Sequence, residues 1–455
     1  MKVGFDYGSS NCAVGVIDNI IDNNTTTMLE LEQGKPYLPS TMYAMHNSLI
    51  PAFVSQSGAA DADYKQSRHG LLNVAQQAKR DLDLEADETG LFFGQAAIAE
   101  YIEFPEEGFY VKSPKSFFGA VGLKPQQIAF FEDIAAAMMI EIKRRAEAQL
   151  QHTITDTVIG RPVNFQAIGG EESNRQALAI LTNAAKRAGF NGVEFLYEPL
   201  AAGIEYESHL QQDKLVLVVD IGGGTSDCSM VRMGPSYRTK VDRGADFLAH
   251  TGKRVGGNDL DIALAYQQLM PLCGRGSLMS SGLPMPDQLY WQACRINDIQ
   301  SQTDFYNFKV ERELHSLLRD VAEPDKLRRL LTIQQHRLTH QVVRQGEQAK
   351  IALSEQEDFT AKLDFIESQL AQPINQRDLS EAVMANLTQM SELAQQAIKD
   401  AGCKPDVIYL TGGSAQSPLL KATLASQIGD IAMVNGDNFG SVTAGLTKWA
   451  EKIFA

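Results

Sequence analysis

The chain has 455 residues and a formal net charge of −15, with 44% hydrophobic and 21% charged residues. These values predict a globular protein of roughly two to four domains, and the negative charge excludes non-specific nucleic-acid binding, which needs a positive surface. We expect a cytoplasmic protein without membrane insertion, because no apolar run could span a bilayer, no signal peptide precedes the first strand, and the five scattered cysteines form no C-x-x-C pair.

The first predicted element is a hairpin at the amino terminus. Residues 2–7 predict a strand and residues 12–17 a returning strand. The connection carries a carboxylate, a glycine and three polar residues, namely Asp6, Gly8, Ser9, Ser10 and Asn11. A turn of this kind can present backbone N–H groups to a phosphate. Taken alone, the segment is equally compatible with a plain tight hairpin turn.

The middle of the first half alternates strands and helices. Residues 91–96 predict a strand end followed by a helix, and residues 126–150 predict a long amphipathic helix. Three further elements follow, a strand at 155–162, a helix at 171–188 and a strand at 193–197. The pair Glu198-Pro199 then predicts a break before a helix that begins near Leu200. This alternation indicates a mixed α/β architecture.

The most informative segment is Asp220–Asp227, which reads Asp-Ile-Gly-Gly-Gly-Thr-Ser-Asp and follows an apolar, β-branched strand at 215–219. Its successive glycines, Gly222, Gly223 and Gly224, allow close approach of the backbone to an anion. A carboxylate on each side of a phosphate site makes sense mainly when a hard cation lies between them. Together with the first hairpin, this segment predicts a two-lobed clamp around a polyphosphate.

The second half begins with a helix-rich segment at about 260–354, interrupted by a loop at 274–286. A strand at 405–410 then ends in another glycine turn, and a final helix closes the chain. His336 and His340 are spaced for one helical face and would suit a metal. Because no third ligand stands nearby, a solvent-facing helix is the favoured interpretation.

In this order, the segments resemble the nucleotide-binding domain of DnaK-type heat-shock chaperones, within the actin and sugar-kinase superfamily, and most closely the short YegD-like group. The two hairpins resemble the two phosphate motifs of that family. Four further segments resemble its motifs N-E-P-x-A-A, L-G-G-x-D-F-D, E-x-A-K-x-x-L-S and V-G-G-S, at residues 196–202, 254–261, 347–354 and 410–414 respectively.

The resemblance implies an α/β fold of the actin-like ATPase type, with two lobes that each contain a ribonuclease-H-like mixed five-stranded sheet, plus a helical insertion. The first lobe would comprise residues 1–200, and the final helix at 438–455 would return to it. The second lobe would comprise residues 201–437 and include an enlarged helical subdomain at about 258–354.

The resemblance also implies a site for ATP or ADP with Mg²⁺. The magnesium would lie among Asp6, Asp220 and Asp227 and bind them mainly through water. Phosphates would lie against the turns formed by Gly8, Ser9, Ser10 and Asn11 and by Gly222, Gly223, Gly224 and Thr225. The catalytic groups implied are Lys115, in a segment similar to the family's K-R-x-x-G, together with Glu198, Thr225 and Asp227.

In these roles the lysine would offset charge on the transferred phosphoryl group. Glu198 would orient or deprotonate the attacking water, with the Thr225 hydroxyl as a second positioning group. Two alternatives remain open. In the first, Lys115 is a plain surface lysine and Lys112 is the catalytic lysine instead. In the second, Glu198 only caps the helix that follows it.

For the nucleoside, the resemblance implies a binding surface made by Gly256, Gly257, Glu347, Lys350, Ser354, Gly412, Gly413, Ser414 and Gln416. The spacing of Glu347, Lys350 and Ser354 places them on one helical face. Ile351 and Gln416 stand where the chaperones usually carry arginines that sandwich adenine. We therefore expect altered or weaker base recognition.

The function implied is that of an ATP-binding, Mg²⁺-dependent ATPase that acts as a nucleotide-driven switch in a chaperone-like role, with an unknown protein partner and no nucleic-acid partner. The helical insertion at 265–345 is the first region to test for partner contact. We expect a chaperone-like role without a peptide-binding domain, so capture of unfolded peptide is not carried over.

Three other functions stay open, namely an actin-like filament-forming ATPase, a small-molecule kinase, and a nucleotide-binding regulator with little hydrolysis. Cys12 and Cys228 each adjoin a phosphate motif, which suggests a redox switch. Small buried thiols are the favoured interpretation of these cysteines.

Overall fold

The computed structural model describes residues 1–17, 25–85, 87–166, 170–240, 243–436 and 440–454. Its strands, in chain order, are β1 (Lys2–Tyr7), β2 (Asn11–Ile17), β3 (Thr26–Met28), β4 (Tyr37–Pro39), β5 (Thr41–Ala44), β6 (Leu91–Phe93), β7 (Phe109–Lys112), β8 (Asp156–Arg161), β9 (Gly192–Tyr197), β10 (Lys214–Ile221), β11 (Ser226–Met233), β12 (Phe247–Lys253), β13 (Asp358–Lys362), β14 (Ala371–Asn375), β15 (Val407–Thr411) and β16 (Met433–Asn435).

The helices, in chain order, are α1 (Leu49–Ser55), α2 (Ala62–Ser67), α3 (His69–Asp81), α4 (Gln95–Glu103), α5 (Pro125–Leu150), α6 (Gly170–Arg187), α7 (Glu198–Glu207), α8 (Gly257–Leu264), α9 (Asp287–Cys294), α10 (Ile299–Phe305), α11 (Phe308–Leu317), α12 (Pro324–Gln335), α13 (Thr339–Ala352), α14 (Gln376–Ala401), α15 (Pro418–Ile428) and α16 (Gly440–Ile453). Short 3₁₀ or π turns lie at Pro114–Phe117, Gly244–Asp246, Ala265–Leu269 and Met270–Cys273. Within the described ranges, no helix combines the length and apolar character that a membrane span requires.

The chain divides into two compact units. The first unit comprises Met1–Gly256, Met390–Gln416 and Leu420–Ala455, and the second comprises Gly257–Gln389 and Ser417–Leu419. Both large sheets lie in the first unit, together with the small sheet β6-β5-β7. The second unit is mainly helical and contains the β13–β14 hairpin. The lobe boundary expected at residue 200 stays a prediction, and residues 18–24, 86, 167–169, 241–242, 437–439 and 455 of the expected lobes lie outside the described residues.

The first large sheet has the strand order β3-β2-β1-β8-β9, with β4 paired to β2 as a further strand. β1 runs antiparallel to β2 and parallel to β8, as the predicted hairpin and crossover require. Alternation along β1 buries Val3, Phe5 and Tyr7 completely, and the Tyr7 hydroxyl contacts the Met138 sulfur of α5 at 3.4 Å. Asp6 therefore lies on the opposite face, at the end of the strand that precedes the first glycine turn.

The second large sheet has the order β12-β11-β10-β15-β16, and its central strands are almost wholly buried. β10 and β11 form an antiparallel hairpin in which Asp220 is paired directly with Asp227. β15 and β16 continue the sheet in parallel. The predicted actin-like α/β fold class is confirmed. The first sheet has one strand more than the predicted five, namely β4, and the small sheets β6-β5-β7 and β13-β14 were not predicted.

Two helices of the first unit, α7 and α16, pack against each other and share a core that includes Val158, Leu200, Val218 and Leu446. The two helices approach so closely that a Cβ atom on Gly445 would overlap the Ala201 carbonyl. α7 begins at Glu198 and not near Leu200, because Pro199 lies in the first turn, where its missing N–H costs no helical hydrogen bond. The start of α7 therefore fixes the position of Glu198.

The second unit confirms the predicted helix-rich segment, and residues 274–286 contain no helix, also as predicted. The prediction of one helical face for His336 and His340 is wrong. α12 ends at Gln335 and α13 begins at Thr339, with Arg337 in the left-handed region at φ 53° between them. In the described part of the chain, no group of three His, Cys, Asp or Glu side chains is arranged to hold a metal ion directly.

Candidate functional site

The two glycine-rich turns lie side by side in the first unit. A Cβ atom on Gly224 would lie 3.0 Å from the hydroxyl oxygens of both Ser9 and Ser116, and one on Gly223 would overlap the Ser10 side chain. Only glycine permits this close approach of the second turn to the first. The structure thus brings together the two segments that the sequence analysis assigned to one polyphosphate.

Three buried aspartates accompany these turns. Burial, reinforced by the charge of Glu198, raises the pKa of Asp6 and of Asp227 to about 7, although Lys115 opposes the shift. Burial and the neighbouring carboxylates raise the pKa of Asp220 well above its usual range. Each carboxylate is therefore affected by the charge of Glu198, and the cluster is short of positive charge.

Asp227 is also held by its neighbours. The Val163 N–H donates to Asp227 Oδ1 at 2.8 Å, and the Thr225 hydroxyl hydrogen-bonds the same carboxylate. Because the segment after β8 and the turn of the second hairpin supply these donors, the orientation of the carboxylate is fixed by two segments that are distant in the chain. Thr225, expected to position a water, is thereby held at the end of the glycine turn.

Lys115 lies in the 3₁₀ turn Pro114–Phe117, and only 4% of its side chain is exposed. Its Nζ lies 2.5 Å from Glu198 Oε1 and donates to the Gly160 carbonyl at 3.2 Å. The surface-lysine alternative is therefore wrong, and Lys112, in β7, is not needed as a substitute.

Glu198 is the first residue of α7, and the residue at the N-cap position is Tyr197, which makes no side-chain cap. The helix-capping alternative for Glu198 is therefore wrong, since its carboxylate pairs with Lys115. The geometry leaves Glu198 beside a buried cation and within electrostatic reach of all three aspartates.

The donor set fits a hydrated magnesium ion. Four carboxylates accompany one lysine ammonium in the cluster, and burial, followed by the charge of Glu198, raises the pKa of each aspartate. Mg²⁺ keeps most of its water and binds through few direct carboxylate ligands. Asp6, Asp220 and Asp227 would hold the ion through its water.

Several residues expected at the nucleoside also lie in the first unit. Gly412, with φ +90°, follows β15 and packs against the Ile221 carbonyl, and the Ser414 N–H donates to that carbonyl at 3.4 Å. A Cβ atom on Gly256 would lie 2.6 Å from the Gly223 carbonyl oxygen. Both glycine segments therefore adjoin the turn at Asp220–Asp227, whereas Gly413 and Gln416 are exposed.

The remaining nucleoside residues lie in the second unit. Lys350 of α13 pairs with buried Asp261 at 2.6 Å and donates to the carbonyl of Gly257, where α8 begins. Glu347 is also in α13, but Ser354 lies beyond the end of this helix. The prediction that Glu347, Lys350 and Ser354 share one helical face is therefore wrong for Ser354. The Ser354 hydroxyl still donates to the Lys350 carbonyl at 3.0 Å, and Ile351 is 62% exposed.

Sequence analysis missed two residues beside the phosphate turns. A cavity of about 10 Å³ is lined by Ser9, Lys115, Ser116, Pro162, Phe165, Gly224, Thr225 and Arg254. Ser116 and Arg254 each stand inside a segment quoted for its resemblance to a family motif, but neither was singled out. Their neighbours Lys115 and Gly256 were the available signal.

Cys12 and Cys228 are buried next to the two turns. Burial raises the pKa of the Cys12 thiol to about 12, and it raises that of Cys228 further. A thiol that stays protonated and shielded reacts slowly. The structure therefore favours inert buried thiols over a redox switch.

Comparison with known proteins shows similarity to the Hsp70 proteins over part of the chain. Residues 116–267 match the family model described as Hsp70 protein. The chain is 27% identical over 262 residues to a "Chaperone protein HscA homolog" from Methylobacillus flagellatus, covering 57% of this chain and 36% of that protein. It is 26% identical over 266 residues to a "Mitochondrial-type heat shock protein 70" from Encephalitozoon hellem, covering 57% of this chain and 38% of that protein. An HscA homolog from Rickettsia typhi is 25% identical over 281 residues, with 62% of this chain and 39% of that protein covered. The matches thus span less than two fifths of these relatives.

Proposed function

We propose that this chain, a relative of the DnaK-type Hsp70 proteins, is an ATP-binding, Mg²⁺-dependent ATPase. One observation carries the proposal. Two glycine-rich turns from different parts of the chain lie together in one compact unit, beside three aspartates and a buried Lys115–Glu198 pair. Close-packed backbone turns suit phosphates, and clustered carboxylates suit the cation that accompanies them.

The proposed reaction is attack of water on the terminal phosphorus of ATP. A bond forms from the water oxygen to phosphorus as the bond to the bridging oxygen breaks, which gives ADP and inorganic phosphate. Glu198 accepts a proton of the water, and the Thr225 hydroxyl helps to orient it. Lys115 offsets the negative charge that the transferred group carries.

Bound Mg²⁺ would neutralise phosphate charge, held through water by Asp6, Asp220 and Asp227. Backbone groups at Gly8 to Asn11 and Gly222 to Thr225 would hold the phosphates. The remaining predicted residues are proposed to bind the nucleoside. Exposed Ile351 offers no guanidinium to stack on a base, so we expect weak selectivity between purine bases.

We further propose that nucleotide state changes the conformation of the chain and that a protein partner responds to it. This part rests on the relationship to chaperones. The activity, substrates and partners of those longer proteins are not transferred whole, because the matches cover only part of them. A regulator that binds nucleotide with little hydrolysis is the second candidate, and the exposed Ile351 in place of a stacking cation favours it.

The test is phosphate release from ATP with Mg²⁺, measured for the wild type, for Glu198→Ala and for Glu194→Ala. Glu194 is an exposed glutamate on β9, four positions before Glu198, and serves as the matched control. We expect Glu198→Ala to lower turnover by about 100-fold or more and Glu194→Ala to leave it unchanged. Equal turnover in the wild type and Glu198→Ala would refute the catalytic role.

A further inference from the structure

The small cavity beside the glycine turns has an unusual lining. Its polar side chains come from Ser9, Lys115, Ser116, Thr225 and Arg254, and each of them can donate a hydrogen bond. Within the described residues, the lining contains no carboxylate. Its volume of about 10 Å³ leaves room for one water-sized oxygen atom. A small pocket surrounded by donors suits an oxygen that carries negative charge.

Ser116 gives the second indication of a ligand. Its side chain is 7% exposed, and its Oγ has no hydrogen-bond partner among the described residues. That oxygen lies 3.0 Å from the position that a Cβ atom on Gly224 would occupy, so it is directed at the second glycine turn. A buried hydroxyl without a partner costs stability unless a ligand supplies one.

The backbone around Arg254 is held in place on both sides. Lys253, the last residue of β12, pairs with Ser226 of β11. The Ser226 hydroxyl donates to the Val255 carbonyl at 2.6 Å, and Gly256 packs on the backbone of the second glycine turn. The backbone on both sides of Arg254 is therefore anchored beside this turn.

Two cations, Lys115 and Arg254, line the cavity. Lys115 is paired with Glu198 at 2.5 Å, so much of its charge is already offset. Arg254 adds a second positive charge to a lining that otherwise contributes hydroxyls. A guanidinium also presents several donors in a fixed plane, which suits a phosphoryl oxygen.

We propose that Arg254 and Ser116 bind a non-bridging oxygen of the terminal phosphoryl group of a nucleoside triphosphate. This inference rests on the proposed nucleotide-binding function. It means that these two residues make the chain bind a nucleoside triphosphate more tightly than a diphosphate. A diphosphate lacks that terminal group, so its binding does not use the cavity.

The test is calorimetric titration with Mg²⁺ and either ADP or the non-hydrolysable β,γ-imido analogue of ATP. The proteins are the wild type, Arg254→Ala, Arg254→Lys, Ser116→Ala and, as matched control, Lys253→Ala, which removes the adjacent cation outside the cavity lining. Thermal unfolding of each variant is recorded first. If Arg254→Ala does not fold, the milder Arg254→Lys and Ser116→Ala carry the test.

We expect Arg254→Ala to weaken binding of the triphosphate analogue roughly 10- to 100-fold, because a charge-assisted hydrogen bond is lost, and to change ADP binding less than about threefold. Ser116→Ala should weaken triphosphate binding several-fold, Arg254→Lys should retain part of the preference, and Lys253→Ala should match the wild type. Unchanged triphosphate binding, or equal losses for both nucleotides, would overturn this inference alone. A wild type that binds neither nucleotide would overturn the proposed function as well.

Discussion

The two members of the Lys115–Glu198 pair should contribute unequally to the free energy of unfolding, and this gives the sharpest stability prediction. The Nζ–Oε1 distance is 2.5 Å, and the side chains are 4% and 13% exposed, so the pair belongs with buried ion pairs and not with weak surface pairs. Lys115 opposes the raised pKa of all three aspartates, whereas Glu198 contributes to raising it. The cluster therefore needs its cation more than it needs this carboxylate.

We expect Lys115→Met to lower the free energy of unfolding by about 3–5 kcal/mol in metal-free protein at pH 8, because it leaves Glu198 and the aspartates without their cation. It also removes the donor to the Gly160 carbonyl. Glu198→Gln keeps that hydrogen bond and removes a repulsive carboxylate. Its cost should therefore stay within about 1 kcal/mol.

The chain has two tryptophans, Trp449 in the first unit and Trp291 in the second. Removing Trp291 therefore makes a fluorescence assay specific to the first unit. In a Trp291→Phe background, the fluorescence of Trp449 in α16 reports on the first unit alone, and urea unfolding in EDTA gives the free energies. Equal losses for the two substitutions, or a loss below about 1 kcal/mol for Lys115→Met, would refute the charge balance described for the cluster.

Three further predictions follow from other features. In metal-free wild type, the free energy of unfolding should fall as pH rises from about 4 to about 7, because folded Asp227, with a pKa of about 7 against 3.8, keeps a proton that the unfolded chain releases. Urea unfolding of Asp227→Asn should show a flatter profile, with a difference on the order of 4 kcal/mol between the ends of the range. Gly256→Ala should lower stability by about 1–3 kcal/mol through contact with the backbone at Gly223, whereas Gly70→Ala, which meets nothing within 4 Å, should leave thermal unfolding nearly unchanged. Iodoacetamide followed by mass spectrometry should modify Cys403 first, because the other four cysteines are buried. A flat wild-type pH profile, equal effects of the two glycine substitutions, or fast modification of several thiols would each contradict its prediction.

The elements that sequence analysis predicted best are those specified by local chemistry. Both phosphate hairpins combine an apolar strand, an aspartate and a glycine turn, and each of these signals acts over fewer than ten residues. The predicted start of α7, near Leu200, lies two residues after the observed start at Glu198, because Pro199 suggests a break although proline is favoured in the first turn of a helix.

Properties that depend on distant segments could not be predicted in this way. The cavity lining combines Ser116, Gly224 and Arg254, which meet only through sheet pairing and packing of the glycine turn. The helical spacing of His336 and His340 failed because Arg337 adopts a left-handed backbone conformation that separates two helices. No periodicity in the sequence signals such a break, since it depends on how the helices pack.

The central claim is that the three aspartates and the two glycine turns form one site for a magnesium-bound nucleoside triphosphate. Calorimetric titration of the wild type with the β,γ-imido analogue of ATP, with Mg²⁺ and then with EDTA, tests it most directly. We predict one nucleotide per chain, with binding at least about tenfold weaker in EDTA and loss of that magnesium dependence in Asp227→Asn. Binding that is absent, or that is equally strong without magnesium, would contradict the claim.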